Sequence, residues 1–131
     1  VEHVYPAIQE NLESPSFYDE VIRLLKKRGF DIAPECLDRN WAEPYKSHES
    51  IEKAWLDIYK DPQPSNDLYL FGELLTELAD IFARYRFQHY TTVERILGFK
   101  PGTGGSAGVN WLKTMAAHRF FPELWTMRTD L

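Results

Sequence analysis

The stretch Asp67-Leu68-Tyr69-Leu70-Phe71-Gly72-Glu73-Leu74-Leu75-Thr76-Glu77-Leu78-Ala79-Asp80-Ile81-Phe82-Ala83-Arg84-Tyr85-Arg86-Phe87-Gln88-His89 decides the fold class. Leu68, Phe71, Leu75, Leu78, Phe82, Tyr85 and His89 recur at alternating intervals of three and four, which is the period of one helix face and not of a strand. Ser65, Asn66 or Asp67 caps this helix, and it extends to about Leu97, where Gly98 ends it. The spacing predicts one continuous buried face that includes Leu75, Leu78, Phe82 and His89. An inward-turned imidazole either hydrogen-bonds a core neighbour or, in its neutral form, ligates a metal.

Upstream, Ser14-Pro15 reads as an N-cap and a first-turn proline. Phe17, Val21, Leu24 and Leu25 follow at helical spacing, and Lys26-Lys27-Arg28-Gly29 supplies a basic last turn and a terminal glycine. Residues 31–45 are irregular and carry Pro34 and Pro44, so they predict a loop with one helical turn around 35–38. A further helix starts at Ser47, presents Ile51, Ala54, Trp55, Ile58 and Tyr59 as a stripe, and stops at Asp61-Pro62-Gln63-Pro64. Downstream, residues 100–108 hold four glycines and a proline, too many for regular structure. A helix over about 109–117 and a short closing turn at Phe121-Pro122-Glu123-Leu124-Trp125 follow, with Trp111 and Trp125 expected in the core. With no alternating strand pattern and no repeat, the expected class is all-α, a helical bundle built around one long helix. It reads as a single helical unit over 1–131, divided into a helix and loop region (1–64), the long helix (65–97), a glycine-rich loop (98–108) and C-terminal helices (109–131).

Composition narrows the functional classes. A chain of 131 residues with 44% hydrophobic and 15% aromatic side chains can build one core. Large flat rings suit an ordinary aromatic core and also a buried planar cofactor. The single cysteine, Cys36, excludes an internal disulfide and a cysteine-rich zinc site, and fits a reducing compartment, with cytoplasm as the expected location. No apolar run reaches the roughly 18 residues of a membrane span. Net charge is −5, but residues 84–131 hold 7 Lys/Arg against 3 Asp/Glu. A local positive field in an acidic chain suits a small anionic ligand better than a nucleic-acid backbone.

Three further features bear on chemistry. Successive glycines let backbone N–H groups approach a ligand and form an anion-binding nest, to which Thr103 adds a hydroxyl. The competing reading, a phosphate loop, is disfavoured, because no Gly-Lys-Ser/Thr follows and no strand precedes. His48, Glu49 and Glu52 have helical metal-ligand spacing but sit at a helix start, where exposed polar residues are common. His118 and Arg119 suit the negative end of a helix dipole better than catalysis.

The text around His89 is more specific. Arg84-Tyr85-Arg86-Phe87-Gln88-His89-Tyr90-Thr91-Thr92-Val93-Glu94-Arg95-Ile96-Leu97-Gly98-Phe99-Lys100-Pro101-Gly102-Thr103-Gly104-Gly105-Ser106 closely resembles the stretch of the tryptophan 2,3-dioxygenases that joins the proximal-histidine helix to a glycine loop. The resemblance continues through Phe121-Pro122-Glu123-Leu124-Trp125 and Arg128-Thr129-Asp130-Leu131, and reaches back to Leu12-Glu13-Ser14-Pro15-Ser16 and Arg28-Gly29-Phe30-Asp31-Ile32. Tyr85 stands where a tryptophan is usual and Gln88 where arginine is expected, which bears on how the imidazole is oriented.

This resemblance implies haem b as cofactor, His89 as proximal iron ligand, and Thr103 with Gly102 and Gly104 at the polar end of bound L-tryptophan. It implies oxidative cleavage of the indole ring by dioxygen to N-formylkynurenine, the first step of tryptophan catabolism by the kynurenine pathway, in a homotetramer. The family's distal and carboxylate-binding residues lie in an N-terminal half whose motifs do not occur here. The chain is therefore expected to be a C-terminal part of such an enzyme, with that half as a partner and no catalytic residue of its own assigned. Two other expectations stay open: a related haem enzyme acting on another indole or aromatic amino acid, and a non-enzymatic helical binding module with His89 in its core.

Overall fold

Residues 14–63, 66–98, 113–114 and 117–131 are described by the structure, a computed structural model, and all regular structure among them is helical. Helix α1 spans Phe17–Lys27. Its cap is Ser16, two residues beyond the expected Ser14, because Ser16 and Asp19 satisfy each other. The Asp19 N–H donates to Ser16 Oγ at 3.2 Å, and the Ser16 N–H donates to Asp19 Oδ2 at 2.8 Å. Its C-terminus closes as expected on Gly29, at φ 98. The Gly29 and Phe30 N–H groups return to the carbonyls of Lys26 and Leu25 at 3.0 and 3.1 Å, a pairing that needs the left-handed conformation glycine adopts without strain.

The single turn α2 spans Pro34–Leu37 and carries proline at its first position. Helix α3 spans Glu49–Lys60 and starts after the expected Ser47, since His48 caps it: His48 Nδ1 accepts the Ser50 N–H at 3.1 Å. Helix α4, Asn66–Leu97, is the long element that the periodicity predicts, and Gly98 follows it at φ 62. Helix α5, Pro122–Thr126, and a 3₁₀ turn over Met127–Asp130 form the closing segment. Of the helix expected over 109–117, only Lys113 and Thr114 are described as helical, and the glycine-rich segment lies outside the described residues. No helix among the described residues is long and apolar enough to cross a membrane.

The chain divides into two compact units, residues 1–69 with 123–131, and residues 70–122. In the first, Ile22, Leu25, Ile51, Trp55, Leu124 and Met127 are fully buried. Each large aliphatic side chain so removed from water contributes about 1.5–3 kcal/mol before the entropy of ordering is counted. The buried apolar positions of α1 are Tyr18, Val21, Ile22 and Leu25, whereas Phe17, placed on that stripe by spacing alone, is 59% exposed. The 3₁₀ turn packs against α3.

The second unit corrects an expectation. Leu75 and Ala79 are buried, but Leu78, Phe82 and Tyr85 are 40%, 44% and 65% exposed, and His89 is exposed as well. The face of α4 is thus buried in its first half and open in its second. Helical period tells which side chains share a face; burial also requires something to cover it. Phe82 meets Phe120 edge to face with centroids 5.7 Å apart, and Arg86 lies 4.5 Å over the Phe120 ring while donating to the His118 carbonyl at 3.4 Å.

Candidate functional site

His89 sits two turns before the end of α4, on the open half of its apolar face. Its ring lies nearly parallel to that of Tyr85, one turn earlier, with centroids 6.3 Å apart and planes inclined by 6°. The two rings, with Gln88, Thr91 and Thr92, border a solvent-open hollow of about 340 Å³ on the surface of α4. The Thr91 hydroxyl is directed at the helix, donating toward the carbonyls of Phe87 and Gln88 at 3.0 Å each. Tyr90 is held above the ordinary phenol range, first by its hydrogen bond to Glu94. Arg84 pairs with Asp80 at 3.2 Å, so the cations flanking His89 are in part already neutralised.

The donor set can be tested against the expected cofactor. Among the described residues no group of three His, Cys, Asp or Glu side chains comes together to hold a metal ion. A bare zinc or similar ion needs three or four protein ligands, so a solitary imidazole does not fit one. It does fit haem iron, for which the macrocycle supplies four nitrogens and the protein one axial ligand. Thr103, Gly102 and Gly104 lie outside the described residues, so they are not brought to or away from His89 here.

His48 serves other ends than the weighed metal site. Its Nδ1 caps α3 and also meets Ser50 Oγ at 2.9 Å, while Nε2 faces Glu35 Oε1 at 3.0 Å. That bond is the first cause holding the Glu35 carboxyl below its usual range. Trp125, expected in the core, is half-buried, and Trp111 lies outside the described residues.

A buried polar cluster escaped the sequence reading. Glu123, fully buried on α5, accepts from the Tyr18 hydroxyl at 2.9 Å, from the His48 N–H at 3.0 Å, and from the Tyr45 hydroxyl. Trp55 Nε1 donates to Tyr18 in turn at 3.2 Å. Burial pushes the Glu123 carboxyl up, against hydrogen bonds that favour its charge, and burial beside that carboxyl pushes both tyrosines up too. The signal was a glutamate inside the otherwise apolar Phe-Pro-Glu-Leu-Trp turn. Preceding it, Phe121 is buried at φ 57, a conformation that costs a non-glycine residue about 1–2 kcal/mol.

A second cluster joins α1 to the following loop. Asp19, 1% exposed, receives both Arg39 Nε at 2.8 Å and Nη2 at 2.7 Å, and Arg39 also donates to the Glu43 carbonyl at 2.9 Å. Both clusters fasten the first unit and neither contributes a residue to the hollow beside His89, so they read as structural.

Comparison with known proteins extends the resemblance over nearly the whole chain. A family model described as tryptophan 2,3-dioxygenase matches residues 10–131. The chain is 52% identical over 124 residues to a tryptophan 2,3-dioxygenase of Burkholderia ambifaria, an alignment covering 95% of this chain and 40% of that protein. It is 50% identical to one from Polaromonas sp., covering 95% of this chain and 42% of the relative. For one from Burkholderia pseudomallei it is 48% identical over 128 residues, covering 98% and 42%. The chain thus spans about two fifths of the length of the curated relatives it matches.

Proposed function

Because the chain belongs to the tryptophan 2,3-dioxygenase family, we propose that it forms the haem-ligating and substrate-loop part of an enzyme that opens the indole ring of L-tryptophan with dioxygen. His89 is the proximal ligand in this reading. The observation that carries it is a single imidazole beside a solvent-open hollow on α4, with no metal-binding group of side chains among the described residues. Haem b, when bound, supplies iron chemistry that lets both atoms of dioxygen enter across the indole C2–C3 bond, giving N-formylkynurenine.

The chain's own residues bind and orient. His89 would hold the cofactor through its imidazole. The Thr103 hydroxyl and the backbone of Gly102 and Gly104 receive the ammonium and carboxylate end of tryptophan, which fixes where the indole lies.

Leu70, Leu74, Ile81, Phe87 and Ile96 are exposed apolar side chains on α4. We assign their cover to further copies of the protein in a homotetramer and to the additional length that the relatives carry. A cytoplasmic location suits the free, buried Cys36. The reading is tested by incubating the haem-loaded enzyme that carries this chain together with the additional length of its relatives with L-tryptophan and with other indoles and aromatic amino acids under air. N-formylkynurenine absorbance growing with L-tryptophan supports it, and cleavage confined to a different indole refutes the substrate.

A further inference from the structure

We propose that Tyr85 is a positioning residue for the His89 imidazole, fixing the plane in which that ring meets a metal; the inference rests on His89 being the iron ligand. The two residues are four apart on α4, so their side chains leave the helix on one face, one turn from each other. Their centroid separation of 6.3 Å and inclination of 6° make an offset stack, inside the range of about 4.5–7 Å in which ring pairs attract.

The geometry matters because His89 is exposed. A histidine on an open helix surface turns about its Cα–Cβ and Cβ–Cγ bonds, and its nitrogen lone pair reaches iron at only one of those settings. Stacking restricts the ring through its face and leaves both nitrogens available. A hydrogen bond to a ring nitrogen would instead consume one of them. Thr91, a nearby hydroxyl, is committed to the Phe87 and Gln88 carbonyls. Tyr85 therefore orients by its ring, and its hydroxyl is dispensable.

The test uses the purified chain loaded with ferrous haem, as wild type, Tyr85→Phe, Tyr85→Ala and His89→Ala. Two quantities are read: the iron–histidine stretching band by resonance Raman, and the rate of haem transfer to excess apomyoglobin. Tyr85→Phe should match wild type, and Tyr85→Ala should broaden or shift the band and release haem roughly tenfold faster, as loss of a group that orients a metal ligand does. Unchanged band and rate in Tyr85→Ala overturn the inference, and equal losses in Tyr85→Phe and Tyr85→Ala overturn it by assigning the effect to the hydroxyl. A band that persists in His89→Ala has a different meaning. It overturns the ligand assignment itself, and the inference with it.

Discussion

The hydroxyl of Tyr18 donates to Oε1 of Glu123 across 2.9 Å, joining residues that lie 105 positions apart in the chain. Tyr18 also accepts from the Trp55 indole, so α1, α3 and α5 meet at one buried carboxylate. Glu123→Ala would leave the Tyr18 and Tyr45 hydroxyls and the His48 N–H without their acceptor. Each orphaned donor costs about 1–3 kcal/mol, and rearrangement recovers part of the total, so a loss on the order of 3 kcal/mol is expected. Urea denaturation followed by tryptophan fluorescence measures it; a loss below about 0.5 kcal/mol would mean the cluster contributes little.

Glu123 also gives stability a pH dependence. Burial raises its pKa in the folded chain above the ordinary glutamate value of about 4.3, so between that value and the raised one the native state holds a proton that the unfolded state has released. Its contribution is fully present below about 4.3 and declines as pH rises through the raised value. Wild type should therefore lose stability relative to Glu123→Gln on raising pH across this window. Urea midpoints of the two proteins compared at several pH values decide it, and a difference that grows in favour of wild type contradicts the sign.

Asp19 behaves in the opposite sense. Its burial raises the carboxyl, but hydrogen bonds from Arg39 and Ser16 outweigh this and hold it below the usual aspartate value. Its contribution is present above about 3.9 and lost as pH falls through the depressed value. Arg39→Ala strands this carboxylate, which is 1% exposed, and should cost about 3 kcal/mol at neutral pH. Asp19→Asn combined with Arg39→Ala should recover part of that loss. A double variant as unstable as the sum of the single ones would show that the pair is not coupled.

Local signals made most of the helices legible. α4 was expected to be capped among residues 65–67 and to end near Leu97, and it spans Asn66–Leu97, because periodicity above and glycine below are both sequence-local. The turn at Pro34–Leu37 and the close at Gly29 were likewise written in single residues. The cap of α1 was misplaced because two serines compete, and only Ser16 has an acidic residue three positions on. Glu123 and Arg39 were missed for another reason: their partners are brought to them by packing, and nothing near them in the sequence names those partners. The exposure of His89 follows the same rule, since its helix face was legible and the cover for that face was not.

The glycine-loop assignment is separable from the iron assignment. Thr103→Ala removes one hydroxyl from the polar end of the proposed substrate and leaves His89 intact. Haem content should stay normal while substrate affinity or turnover falls by the equivalent of one hydrogen bond to a charged group, about 1.5–3 kcal/mol. Haem stoichiometry and steady-state kinetics on the enzyme that carries the additional length of the relatives check both halves. Unchanged kinetics would leave Thr103 a structural role only.

The central claim, that His89 is the protein's ligand to haem iron, is tested most directly by titrating haem into the wild-type chain and into His89→Ala while recording the Soret band. The account predicts a saturable shift of that band at one haem per chain in the wild type, and its loss in His89→Ala, with external imidazole restoring it in part. A His89→Ala protein that takes up haem with the wild-type spectrum and affinity would contradict the claim.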